Sequence, residues 1–236
     1  MKKVLFCALV VISIAGCSMQ DDGNGFLISA DASDFSAGLV GWTGDFADYP
    51  TGPNDSAFYE LRFEYTNRPS TLDPTQKAIL LSGNNHSDDL FMFIKKKVAG
   101  LKPNTEYILV FEVEFASNAE KNAVGVGGAA GESVYVKVGA SGIEPRKIME
   151  EGFYRLNIDK GNQSNSGSDM ITIGNIAVDS QVYNLVTQSN SNQNFQFRAT
   201  SNGSGELWLI VGTDSGFEGT TTLYYTKVNA VFSSSN

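Results

Sequence analysis

An antiparallel β-sandwich is the fold class that the sequence predicts, on three observations. Apolar residues recur at every second position, helical periodicity is nearly absent, and Gly-, Asn- and Ser-rich stretches separate the alternating runs. Strand geometry sends successive side chains to opposite faces, so a period of two marks strands with one face in a core and the other in water.

Taken in order, Phe58 to Tyr65 reads as the first half-buried strand, with Tyr59, Leu61, Phe63 and Tyr65 on one face and Glu60, Arg62 and Glu64 on the other. Thr75 to Leu81 is expected to form a helical turn or two. Leu90 to Ile94 is apolar at both parities, as a strand covered on both faces requires. Tyr107 to Phe115 alternates cleanly, with Glu112 and Glu114 facing away from the aromatic and aliphatic set. Val134, Val136 and Val138 oppose Ser133, Tyr135 and Lys137, and Phe195 and Phe197 oppose Gln196 and Arg198 more faintly. Glu206 to Gly212 reads as a second fully covered strand, and Tyr224 to Phe232 closes the body before a few serines fray into solvent. No linker-like shift in composition follows Gly25, and the closing strand is needed to complete the sandwich, so residues 26–236 are expected to form one domain.

The first residues carry an address. Lys2 and Lys3 precede the apolar run Val4 to Ile14, which is too short for a permanent membrane span, and small residues follow. The run ends in Ile14-Ala15-Gly16-Cys17, which resembles the bacterial lipobox. Residues 1–16 are therefore expected to be a lipoprotein signal peptide and Cys17 the lipidated residue. Residues 17–25, polar and glycine-containing, are expected to be a flexible tether. Asp21 and Asp22 resemble export tags of outer-membrane lipoproteins. The expected location is the bacterial cell envelope, at the outer membrane, with contact to lipid through the anchor only.

Cleavage before Cys17 leaves 220 of the 236 residues and, with Lys2 and Lys3 removed, moves the formal charge from −9 to −11. Such a surface repels nucleic acid. Cys7 leaves with the leader and Cys17 carries the acyl groups, so no thiol pair remains for a disulfide or a zinc site. A single His excludes a histidine-rich metal centre. The body is expected to be a monomer.

Asp34-Phe35, Gly38-Leu39 and Gly41-Trp42, together with Gly100 to Tyr107 and Leu207 to Phe232, resemble the galactose-binding-like jelly rolls, the fold of many carbohydrate-binding modules. The likeness covers about a third of the chain in the expected order and departs at Ser36, where the family usually has an acid. It implies a sandwich of jelly-roll type and a glycan as ligand.

Five loops could carry that role. Gly44 to Pro50 offers Asp45 and Asp48 as ligands for calcium, with Trp42 and Tyr49 able to stack on a sugar ring. Ser82 to Asp89 supplies Asn84, Asp88 and Asp89 with the lone His86, a dense set of oxygens for a cation or a polar clamp. Gly125 to Glu132 is glycine-rich but leads into a strand, not a helix, which argues against a phosphate cradle. Asn157 to Gln163 brings Asp159, Lys160, Asn162 and Gln163, whose charged and amide groups can grip vicinal hydroxyls, and a hairpin turn on Lys160-Gly161 would explain the same residues. Gly212 to Gly219 adds Asp214 and Glu218. Trp208 is the second candidate for stacking. Together these readings predict a non-catalytic glycan-binding module with a structural calcium ion. Two other readings stay open: an adhesive surface protein that binds another protein, and a glycan hydrolase, for which no catalytic pair can be singled out.

Overall fold

The computed structural model describes residues 20–21, 26–52 and 55–235. The expected signal peptide and the lipidated Cys17 lie outside those residues, as does most of the expected tether. In chain order the strands are β1 (Gln20–Asp21), β2 (Phe26–Asp34), β3 (Thr43–Ala47) and β4 (Tyr49–Pro50), then the short helix α1 (Asp55–Phe58), then β5 (Arg62–Asn67), β6 (Lys77–Asn84), β7 (Leu90–Val98) and β8 (Glu106–Ser117). They continue with β9 (Val134–Ser141), β10 (Lys147–Glu150), β11 (Phe153–Leu156), β12 (Met170–Asn175), β13 (Asn184–Ser189), β14 (Phe197–Thr200), β15 (Leu207–Ser215) and β16 (Thr220–Ser235).

Two sheets face each other. In the first, the long β16 is the hub: it pairs β6 and then β2 along one edge and β8 along the other, while β5 extends β6, and β13 and β14 extend β8. The second runs β12-β9-β15-β7-β3, and every strand pair in both is antiparallel. Neighbours distant in sequence, such as β2 beside β16 and β7 beside β15, make this an antiparallel β-sandwich of jelly-roll type. The inward parities meet in one core that includes Tyr107, Phe111 and Phe115 of β8, Val134, Val136 and Val138 of β9, and Val228, Ala230 and Phe232 of β16. Phe35 and Trp42 belong to it and meet edge-on at 6.1 Å, across the turn in which Gly41 takes φ 84°.

Three local expectations are corrected. Tyr59 to Leu61 is not strand: α1 and a turn with Glu60 at φ 51° precede β5, because Asp55 and Ser56 carbonyls accept from Tyr59 and Leu61 amides. Thr75 to Leu81 is not helical. Its apolar residues Ala78 to Leu81 are buried in β6, paired to β5 and β16, so burial on both faces overrides any local helical tendency. The closing serines do not fray either, since Ser233 to Ser235 pair with Phe26 to Ile28.

What positions the site is a third, small sheet, β10-β11-β4, laid over the outward face of the second. Beneath it and the loop at residues 157–169, outward side chains Ala47, Phe91, Phe93, Met170 and Ile210 form a satellite core with Ile158. Gly139 lets the loop lie directly on the sheet, because a Cβ there would come within 2.0 Å of the Asp169 carbonyl oxygen. The second sheet is thus covered on both faces, which accounts for the uninterrupted apolar run of β7.

Candidate functional site

Between the small sheet and the loop opens a cleft of ≈ 440 Å³. Asp48, Asp89, Arg155, Asp159, Lys160 and Asn162 line it, with Glu150 and Glu151 also on its wall. Its base is an ionic network buried where apolar side chains would be the ordinary choice. Asp214, on the outward face of β15 and inaccessible to solvent, accepts from Lys160 Nζ at 2.7 Å and from the Gln163 amide at 2.9 Å, and lies 3.4 Å from Lys137 Nζ. Lys137, also without exposure, donates to the carbonyls of Lys160 and Asn165 at 2.7 and 2.8 Å, and so ties the loop to the sheet. Lys160 reaches Asp48 Oδ2 at 3.0 Å as well. A single nitrogen of Arg155, Nη1, then contacts both Asp48 at 3.2 Å and Asp89 at 3.4 Å.

Environment sets the charges in opposite ways. Burial pushes Lys137 below the ordinary lysine value against the pull of Asp214. Burial works against Lys160 too, but Asp214 and then Asp48 more than offset it, so its pKa is raised. Asp89 is pushed up to about 6, chiefly by burial, with Lys160 and Arg155 pulling it down and Asp214 and Asp48 pushing it further up. Asp159 is held below the usual carboxylate range by the amides of Ser168 and Gly161. The backbone around the cleft is unusual as well: Asp48, Glu151 and Gln163 take φ of 61°, 49° and 47°, a left-handed conformation that costs non-glycine residues energy and gathers at functional sites.

Of the residues singled out in sequence, Asp48, Asp89 and Asp159 line the cleft and Asp214 lies in the network at its base, while the others are dispersed. Trp42 is 1 % exposed and donates its indole Nε1–H to Ser33 Oγ at 2.9 Å, so it offers no stacking face. Tyr49 is 2 % exposed, packed against Tyr59 and Tyr154, and is likewise closed to a ligand. Both rings are core because their parity points between the layers. Trp208 is half-buried on the outward face with Lys95 Nζ 5.7 Å from its ring, but it sits six residues along β15 from Asp214, about 20 Å at the usual strand rise. Asn84 ends β6 and donates to Glu60 at 3.2 Å, away from the cleft. Asp88 is exposed beside it, and its carbonyl accepts from Gln163 Nε2 at 3.0 Å.

The donor set expected to hold calcium does not fit that ion. Asp45 is paired with Lys147 at 3.0 Å and Asp48 with Lys160 and Arg155, so each carboxylate already has a cation of this chain. Among the described residues no group of three or more His, Cys, Asp or Glu side chains could hold a metal.

Sequence reasoning named Lys160 and Asp214 only as members of loops, and missed Lys137 and Arg155. Lys137 shows in the sequence as the polar parity of a half-buried strand. Only the third layer, whose strands are short and mostly exposed or half-buried, makes that parity an interior one.

No family model matches this chain, and no curated protein is significantly similar to it. Solved structures that it is similar to include the enzymatically active domain of tailspike protein 4 of bacteriophage CBA120 (11% identity, TM-score 0.36), where 83% of this chain covers only 20% of the tailspike chain. A carbohydrate-binding module with specific mannan recognition is similar at 11% identity and TM-score 0.36, over 87% of this chain and 97% of the module. The K1 cleaved adhesin domain of Lys-gingipain from Porphyromonas gingivalis is similar at 10% identity and TM-score 0.35, over 88% of this chain and 98% of that domain. These likenesses are to an enzyme, a glycan binder and an adhesin, and they do not choose among the three.

Proposed function

We propose that this protein is a lipid-anchored cell-envelope module that binds a glycan without cleaving it, in the cleft between the small sheet and the loop at 157–169. The lipobox-like Ile14 to Cys17 supports the anchor. One observation carries the binding role: a recess of ≈ 440 Å³ walled by donors and acceptors that a buried ion network holds in place. Its volume lies within the range of about 300–1,000 Å³ usual for small-ligand sites. A guanidinium, an amide and carboxylates can make the paired hydrogen bonds that vicinal hydroxyls need, and because the network fixes them beforehand, little ordering is left to oppose binding. Stacking on Trp42 or Tyr49 plays no part.

The raised pKa of Asp89 also invites a hydrolase reading. Against it, Asp48 is already engaged by both Lys160 and Arg155, and Asp89 by Arg155, so neither carboxylate stands free to flank a glycosidic bond. The adhesive reading needs a continuous apolar patch, but the most exposed apolar side chains, Val124 and Val126 on one loop, Met149 on β10 and Phe58 on α1, come from three different segments.

A glycan array followed by calorimetric titration of the hits tests the proposal. Removing the guanidinium with Arg155→Ala should weaken binding about tenfold or more, since a hydrogen bond to a charged group contributes about 1.5–3 kcal/mol. Incubation with the bound glycan should yield no cleavage products. An array without hits, or undiminished affinity in Arg155→Ala, would overturn it.

A further inference from the structure

The unspent charge of the cleft is negative. Lys160 is engaged by Asp214 and Asp48, Lys137 by Asp214 and two carbonyls, and Arg155 by Asp48 and Asp89. Glu150 and Glu151, at the turn between β10 and β11, line the same cleft, are exposed, and enter no ion pair among the described residues. Deeper in the wall, Asp48 is 4 % exposed and already held by Lys160 at 3.0 Å and Arg155 at 3.2 Å. Asp89 Oδ1 is buried with no hydrogen-bond partner. The Asp89 side chain is 27 % exposed, so a ligand that supplies a donor and a positive charge can meet its carboxylate from the cleft and relieve the cost of its partial burial.

We propose that the glycan taken by this cleft carries a protonated amine, seated toward Asp89 and the Glu150–Glu151 rim. This rests on the glycan-binding reading above and names the class of sugar. An ammonium brings three donors and one charge to a wall rich in acceptors. An N-acetyl group brings one donor and no charge, and a uronate brings a charge of the same sign as the rim. A pH signature follows. The charged groups facing Asp89 are Lys160, Asp214, Asp48 and Arg155, and its pKa of about 6 means that acidification removes the negative charge that the ammonium meets. Affinity for the amine therefore drops as pH falls through about 6.

Calorimetry on the full chain with β-1,4-linked oligomers of glucosamine, N-acetylglucosamine and glucuronic acid tests this at about pH 6.5 and pH 5. The amine oligomer should bind about tenfold tighter than the acetylated one at the higher pH, with the advantage shrinking at the lower. The double variant Glu150→Gln, Glu151→Gln alters two exposed, unpaired side chains, so folding is not at stake, and it should narrow the advantage. Equal affinity for amine and acetylated oligomers, tightest binding of the uronate, or another glycan binding where the amine does not, each overturns the inference and leaves glycan binding standing. Failure of every glycan to bind overturns both.

Discussion

Asp89 is the residue where burial and charge conflict most openly. Its pKa of about 6 in the fold lies above the ordinary aspartate value of 3.8, so between those values the native state holds a proton that the unfolded chain has released. Stability from this group is therefore full at low pH and is lost as pH rises through about 6. Asp89→Asn, which keeps the shape and removes the charge, should raise the melting temperature at neutral pH and leave it almost unchanged near pH 4. A variant that melts lower than the parent at neutral pH would show that the pairing with Arg155 outweighs the cost of burial. Trp42 and Tyr49 teach the opposite lesson. In sequence an aromatic beside an acidic loop looks the same whether its ring faces solvent or core, and only the packing of two layers over it decides.

At the scale of elements, the loop at 157–169 is part of the folded body because β9 and β15 hold it with charge. Asp214 is the common counter-charge of two buried lysines, so Asp214→Ala leaves Lys137 with no counter-charge and Lys160 with Asp48 alone, whereas Lys137→Met leaves Asp214 still paired with Lys160. Breaking a buried pair from one side costs about 3–5 kcal/mol. Urea denaturation should accordingly show Asp214→Ala as the more destabilised of the two, and equal midpoints would mean that Lys137 and Asp214 contribute only as a pair. The strands themselves were largely legible, since β7, β8, β9, β15 and β16 lie where alternation or unbroken apolar runs place them. Less legible was which strand faces carry a second layer. The pattern of β9 and its Lys137 reads as solvent-facing, and the loop that covers it, rich in Gly, Asn and Ser, has no apolar face to announce that it packs.

For the whole molecule, sequence alone sufficed for the class of fold because one period ran through the chain, while the site needed the third dimension. Asp48, Asp89, Lys137, Arg155, Lys160 and Asp214 come from six separate segments, and no spacing along the chain encodes their meeting. The acids could be singled out because loops rich in Asp are conspicuous. Their cations could not, because Lys137 and Arg155 sit in strands where a charged residue ordinarily means solvent. The account therefore stands on the location of the binding face, and an amide chemical-shift map recorded while a glycan hit is titrated into the protein tests it most directly. Perturbations gathered at Asp89 and along Glu150 to Asn162 are the predicted result; shifts clustered instead around Trp208, or on the loop from Asn118 to Ala130, would contradict it.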